Sequence, residues 1–206
     1  MTQYARPNSD ISSGQWSPSE GTTLYGVLDE ETRADADYIV SQANQTTLCE
    51  VGLSSVTDPA SSTDHIARYT YLRTATNKDL TLVVRLMQGT TEIASWTHAN
   101  PTTSFTLAEQ TLTAQQADSI TDYSSLSFEF EVTVNGGGGI QAQVSWAVFE
   151  VPGGTTHNLS AAALAASSTP DTVALDRSVS LSAAALAASV TPDTATLTLT
   201  TPPYTV

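Results

Sequence analysis

Apolar and polar residues alternate through much of the middle of this chain. In Leu126-Ser-Phe-Glu-Phe-Glu-Val-Thr-Val134 the apolar side chains fall on every second position, with Ser127, Glu129, Glu131 and Thr133 between them. Only a period of two sends these two sets to opposite faces, so the segment predicts a β-strand with one buried face. Beyond Asn135 and four glycines at 136–139, Ile140-Gln-Ala-Gln-Val-Ser-Trp-Ala-Val148 alternates in the same way. The two segments read as a long hairpin with a glycine tip. The shared phase of Ile140, Val144 and Trp146 marks Trp146 as core.

Leu80, Leu82, Val84 and Leu86 give a third alternating strand, closed by Gln88-Gly-Thr90, with 93–97 as its return partner. Weaker strands fall near 37–41, 48–53, 66–75 and 103–111, which brings the total to about eight. Thr113 can cap one short helix over 113–119. Short strands separated by turn signals predict a mainly β chain, an antiparallel β-sandwich of jelly-roll type. Residues 1–20 form an extended arm punctuated by Pro7, Gly14 and Pro18, with Ile11 and Trp16 as apolar anchors. An exposed Trp wastes a large apolar area, so Trp16 is expected to pack on the body.

The pattern changes after Val151. The domain 21–152 is followed by a linker, 153–158, and then by a direct repeat with a 22-residue period over 159–206. Leu159-Ser-Ala-Ala-Ala-Leu-Ala-Ala-Ser-Ser-Thr-Pro-Asp-Thr172 recurs from Leu181 to Thr194 with one substitution. The large apolar residues of the two copies are Leu159, Leu164 and Leu175, then Leu181, Leu186 and Leu197. Burying a leucine yields about 2 kcal/mol, whereas ordering 22 backbones costs on the order of 20–40 kcal/mol. These six leucines are therefore expected to be interface residues, docked on their own domain or on a neighbouring subunit.

Composition narrows the partners. Charged residues make up 14% of the chain, the formal net charge is −14, and Lys78 is its only lysine. Such a surface cannot neutralise phosphates, so neither nucleic acid nor an anionic membrane is expected as a partner. The first ten residues lack a basic segment followed by an apolar run, and no apolar stretch is long enough to span a bilayer. Cys49 is alone, so no disulfide framework is expected.

Little in the sequence asks for catalysis. His65, His98 and His157 have no partner at metal-ligand spacing, and HExxH, GxSxG and P-loop motifs are absent. His98 reads as a surface loop residue, and no cofactor is expected. The acidic stretch Asp29-Glu-Glu-Thr-Arg-Ala-Asp-Ala-Asp37 could offer the carboxylates of Asp29, Asp35 and Asp37 to Ca²⁺. The EF-hand glycine is missing, however, and the preferred reading is a solvated loop between elements. Tyr69, Tyr71, Trp96 and Trp146 could together form an aromatic platform for a sugar. Tyr69 and Tyr71 share a strand face with Ala67, however, which points inward.

Three stretches carry a resemblance. Arg6-Pro-Asn-Ser-Asp-Ile-Ser-Ser-Gly-Gln-Trp16, Val83-Val-Arg-Leu-Met-Gln-Gly-Thr-Thr-Glu-Ile-Ala-Ser-Trp-Thr-His98 and Val144-Ser-Trp-Ala-Val-Phe-Glu-Val-Pro152 resemble β-sandwich proteins of phage and prophage structural modules. The likeness spans about residues 6–152, and the C-terminal repeats are similar to those of phage particle proteins. It implies a non-enzymatic virion structural protein, in capsid decoration or a head or tail fibre. Such a protein would assemble in the host cytoplasm as a homo-oligomer docked on other virion proteins. The alternative is a carbohydrate-binding module that recognises host surface glycans, as in a tail fibre.

Overall fold

The computed structural model describes residues 1–135 and 138–154. These residues build a sandwich of two antiparallel sheets from eleven strands. The strands are β1 (Gln3–Ala5), β2 (Pro7–Ser12), β3 (Ser17–Pro18), β4 (Ile39–Val40), β5 (Thr47–Leu53) and β6 (Ile66–Arg73). They continue with β7 (Asp79–Gln88), β8 (Thr91–Ala99), β9 (Thr106–Thr111), β10 (Leu126–Asn135) and β11 (Ala142–Val151). One sheet runs β2-β5-β10-β7-β8. The other runs β3-β4-β11-β6-β9, and β1 also pairs with β11. The expected antiparallel sandwich is present, and the helix α1 (Ala114–Asp118) is capped by Thr113 in a capping box with Gln116.

The alternation in β10 has the expected result. Leu126, Phe128, Phe130 and Val132 are buried, and both phenylalanine rings are fully enclosed. Leu80, Leu82, Val84 and Leu86 of β7 lie beside them on the same inner face. The strands β7 and β8 form the expected hairpin.

The hairpin expected between β10 and β11 does not form. β10 pairs with β5 and β7, whereas β11 pairs with β6, β4 and β1 in the opposite sheet. Both strands point apolar residues at one interior, but from opposite sides of it. A period of two fixes which face is buried and leaves the choice of partner open.

The arm is more structured than its composition suggests, and it belongs to both sheets. β1 pairs with β11 and β2 pairs with β5, so the chain changes sheet at Arg6, between buried Ala5 and buried Pro7. The Arg6 N–H donates to Ser54 Oγ at 3.0 Å, and the Ser54 N–H donates back to the Arg6 carbonyl at 2.8 Å. Trp16 is buried as expected, with its ring 6.4 Å from that of Phe130. Gly14 sits at φ +53°, and a Cβ there would run into the Leu48 carbonyl. Glycine is the residue that tolerates both conditions.

The outer face of the β10 sheet is polar and organised by one cation. The Arg85 guanidinium meets Glu129 and Glu131 at 2.6 Å each and Glu92 at 3.2 Å. Without it, three carboxylates on neighbouring strands would face each other across a half-buried surface.

Two stability predictions follow from these placements. Phe130→Ala should lower unfolding free energy by roughly 3–5 kcal/mol, the range for a buried aromatic truncation, as read by urea denaturation of the full chain. Arg85→Met keeps the stem but strands the acids, and should cost about 1–3 kcal/mol. That loss should shrink in about 1 M salt, which screens the stranded acids from one another. A loss that is the same in low and high salt would mean that packing, not charge, is what Arg85 supplies.

Candidate functional site

The strand β11 begins with its apolar residues inward: Ala142 and Val144 lie in the core. It ends with Ala147, Phe149 and Val151 inward. These two sets are out of phase by one residue, and a β-bulge absorbs the difference. Val144 is opposite Tyr71 on β6, whereas Trp146 is opposite Thr70, so the register shifts between them. A bulge places two residues against one and turns every later side chain to the other face. Trp146, Val148 and Glu150 therefore point outward, which corrects the expected core position of Trp146. The indole still has only 9% of its surface exposed, because the segment after the short turn Tyr25–Val27 lies against it.

That segment is fixed by backbone and side-chain hydrogen bonds. Asp10 of β2 accepts the N–H groups of Leu24 and Tyr25 at 2.9 Å each. Beyond the turn, the Leu28 carbonyl accepts the Ala147 N–H at 3.3 Å, filling the place between β4 and β1 along β11. The Glu30 carbonyl accepts two donors, Trp146 Nε1–H at 2.9 Å and Arg6 Nη1–H at 2.7 Å. Ser145, the residue in the bulge, donates from Oγ to Asp35 at 2.7 Å.

The result is an open cleft of about 650 Å³ on the outer face of the β11 sheet. It is lined by Tyr4 and Arg6 from the arm, by Trp146, Val148 and Glu150 from β11, and by Arg68 from β6. Glu31 and Thr32 complete the rim. Tyr4 is 50% exposed, and the Arg6 guanidinium carbon lies 5.5 Å from its ring centre. Arg68 Nε donates to Glu150 Oε2 at 2.9 Å, and Arg68 also pairs with Glu109 of β9. Glu109, Arg68 and Glu150 thus form a row across three strands, alternating acceptor, donor and acceptor.

The expected site residues are distributed differently from the sequence reading. Tyr69, Tyr71 and Trp96 do come together, but on the inner side of the sandwich and apart from Trp146. Tyr69 is fully buried, with the Trp96 ring 6.2 Å away. His98 lies in β8, not in a loop, because the strand runs on to Ala99. Its Nε2 is 2.7 Å from the Tyr69 hydroxyl, and its Nδ1 is 2.8 Å from that of Tyr71. Burial pulls the His98 pKa down and pushes both tyrosine hydroxyls up. His65 is likewise enclosed, 2.8 Å from the Tyr123 hydroxyl.

The acidic loop does not assemble as a cation site. Asp35 is taken by the Arg33 guanidinium at 2.6 Å and by Ser145, and Arg33 holds its carboxyl below the usual range. Among the described residues no three His, Cys, Asp or Glu side chains converge to hold a metal ion. The loop instead walls the cleft. The six repeat leucines, Leu159, Leu164, Leu175, Leu181, Leu186 and Leu197, lie outside the described residues.

The sequence reading missed Tyr4, Arg6, Arg68 and Glu150. One signal was present in β11: counted back from Val151, the phase puts Phe149 and Ala147 inward and Glu150 outward. That phase contradicts the one counted forward from Ile140, and only an extra residue between them reconciles the two.

No known family model matches the chain, and no curated protein matches it. Among solved structures, the chain is similar to the C-terminal CBM6 of LamC, a marine laminarinase from Zobellia galactanivorans. Identity is 13% and the TM-score 0.40, covering 74% of this chain and all of that one. It is also similar to TmCBM61 in complex with beta-1,4-galactotriose, at 6% identity and TM-score 0.35, covering 73% and 87%. A third likeness is to the K3 cleaved adhesin domain of Lys-gingipain from Porphyromonas gingivalis, at 8% identity and TM-score 0.39, covering 73% and 99%.

The cleft loop has its own pH signature. Burial, then the nearby Asp37 and Asp29 carboxylates, push the Glu30 pKa up to about 7. An unfolded glutamate titrates near about 4.3. The stability that Glu30 contributes is therefore complete below the unfolded value and lost as pH rises through about 7. Glu30→Gln should melt like wild type near pH 4.5 and higher than wild type at pH 8. Thermal melts of both chains at the two pH values check this, and equal melting at pH 8 would count against it.

Proposed function

We propose that this β-sandwich is a non-catalytic carbohydrate-binding module that holds a glycan in the outer-face cleft. One observation carries the reading. The half-exposed Tyr4 ring borders an open cleft that is also lined by the ion pair Arg68–Glu150, with Glu109 paired to Arg68 from β9. Sugars present apolar C–H faces and rims of hydroxyls, so their sites combine an aromatic surface with fixed polar side chains. Here the polar groups are already paired with each other. They gain bonds to an arriving hydroxyl without first being drawn out of water alone.

The rigid placement of the wall supports the same reading. Tyr4 sits on β1, whose backbone is paired with β11 at Tyr4–Glu150. The aromatic ring and the Glu150 carboxylate are therefore held at a fixed register before any ligand arrives. Preorganisation of this kind limits the entropy lost on binding. The sequence resemblance over about residues 6–152 favours a second reading, a virion structural protein docked on neighbouring subunits. The two readings meet if the module sits in a tail fibre facing the host surface.

An oligosaccharide array probed with the full chain, followed by calorimetry on the hits, tests the glycan reading. At least one oligosaccharide should bind. Tyr4→Ala should weaken that binding by about tenfold, corresponding to roughly 1.4 kcal/mol of lost stacking, while melting falls only slightly because Tyr4 is already 50% exposed. An array with no bound glycan, or a Tyr4→Ala chain that binds like wild type, would overturn the reading. In the first case the virion structural reading would stand alone, to be tested by incorporation into particles.

A further inference from the structure

The charge around the cleft bears on which glycans it can take, and this step rests on the glycan-binding reading. Two cations, Arg6 and Arg68, face three carboxylates: Glu31 and Glu150 on the lining and Glu109 behind Arg68. The chain as a whole, these residues included, carries a formal charge of −14. A sulfated or uronic-acid chain would enter a field of its own sign.

Neither arginine is free to reverse this. Arg68 is clamped between Glu150 and Glu109, with its side chain 25% exposed. Arg6 directs its guanidinium at the Glu30 carbonyl at 2.7 Å and toward the Glu31 carbonyl at 3.4 Å, beside the Tyr4 ring. Carrying an anion to Arg6 would mean competing with bonds that hold the Glu30 segment over Trp146. Anion sites are built the other way, from bidentate guanidinium groups without carboxylate partners.

A neutral sugar meets none of these obstacles. Each hydroxyl both donates and accepts, so a neighbouring pair can donate to a Glu150 oxygen and accept from an Arg68 N–H. Bonds to charged groups are roughly twice as strong as bonds between neutral ones, and no net charge is buried in making them. We infer that the cleft selects uncharged glycans, with adjacent hydroxyls bridging the Arg68–Glu150 pair and a sugar face stacked on Tyr4.

The test compares neutral oligosaccharides with uronate and sulfated ones on the full chain, and repeats the comparison with Glu150→Gln. Wild type should bind neutral chains, with affinity changing less than about twofold between roughly 0.05 and 0.5 M salt. It should bind the acidic chains far more weakly. Glu150→Gln keeps the shape but removes one negative charge. It should weaken neutral binding by about three- to tenfold, through loss of a charged acceptor, while improving any residual acidic binding.

Preferential binding of acidic glycans by wild type, falling steeply with salt, would overturn the inference and leave the glycan-binding reading intact. Stronger binding of neutral chains by Glu150→Gln would overturn the bridging role. Binding of no glycan of either kind would fail the parent reading, and this inference with it.

Discussion

The single residue that β11 has in excess of β6 between Val144 and Trp146 governs the chemistry of this face. Without it, Trp146 and Val148 would continue inward, and Phe149 would face water. With it, the core keeps Ala147, Phe149 and Val151, and the outer face receives a Trp, a Val and a Glu in a row. Ala147 N–H and Ser145 Oγ both turn to the loop that carries Leu28 and Asp35. A bulge thus creates an outward aromatic and, in the same few residues, the bonds that hold a wall beside it.

The arm completes what the bulge begins. Its strands β1 and β2 belong to different sheets, so the arm joins the two sheets of the sandwich, with Arg6 at the crossing. The Arg6 backbone is tied to Ser54 while its side chain reaches the Glu30 carbonyl. That carbonyl also accepts the indole N–H of Trp146, so one oxygen links arm, loop and bulged strand. Removing the arm would strip both a core edge and a cleft wall. Residues 3–6 therefore close the core and line the cleft at once.

How much of this was legible depended on whether the signal was local. The period of two in β10 and β7 is a local property, and it correctly gave strands, buried faces and the sandwich class. The capping box at Thr113 is equally local. Pairing is not: β10 and β11 carry the same pattern and lie next to each other in sequence, yet they occupy opposite sheets. Tyr4, Arg6, Arg68 and Glu150 come from three strands far apart in the chain, and no spacing connects them. His98 was misplaced for a smaller reason, since β8 extends past its last apolar residue with Trp96 and His98 still facing Tyr69 and Tyr71. The bulge was the one non-local feature with a local trace, in the clash of phases around Ser145.

Both polar faces of the sandwich solve the same electrostatic problem. The chain is strongly acidic, and glutamates recur on the outward positions of β9, β10 and β11, where neighbouring strands bring like charges together. On each face a single arginine sits among them, Arg85 with Glu92, Glu129 and Glu131, and Arg68 with Glu109 and Glu150. Each arginine offers several donors in a planar fork, so one cation can serve two or three carboxylates that a lysine would satisfy less completely. What separates the two faces is the arm and the Glu30 loop, which stand beside Arg68. The same stabilising motif is a flat, solvated surface on one sheet and the wall of a recess on the other. A cluster that offsets like charges on the sheet lines a recess only where neighbouring segments enclose it.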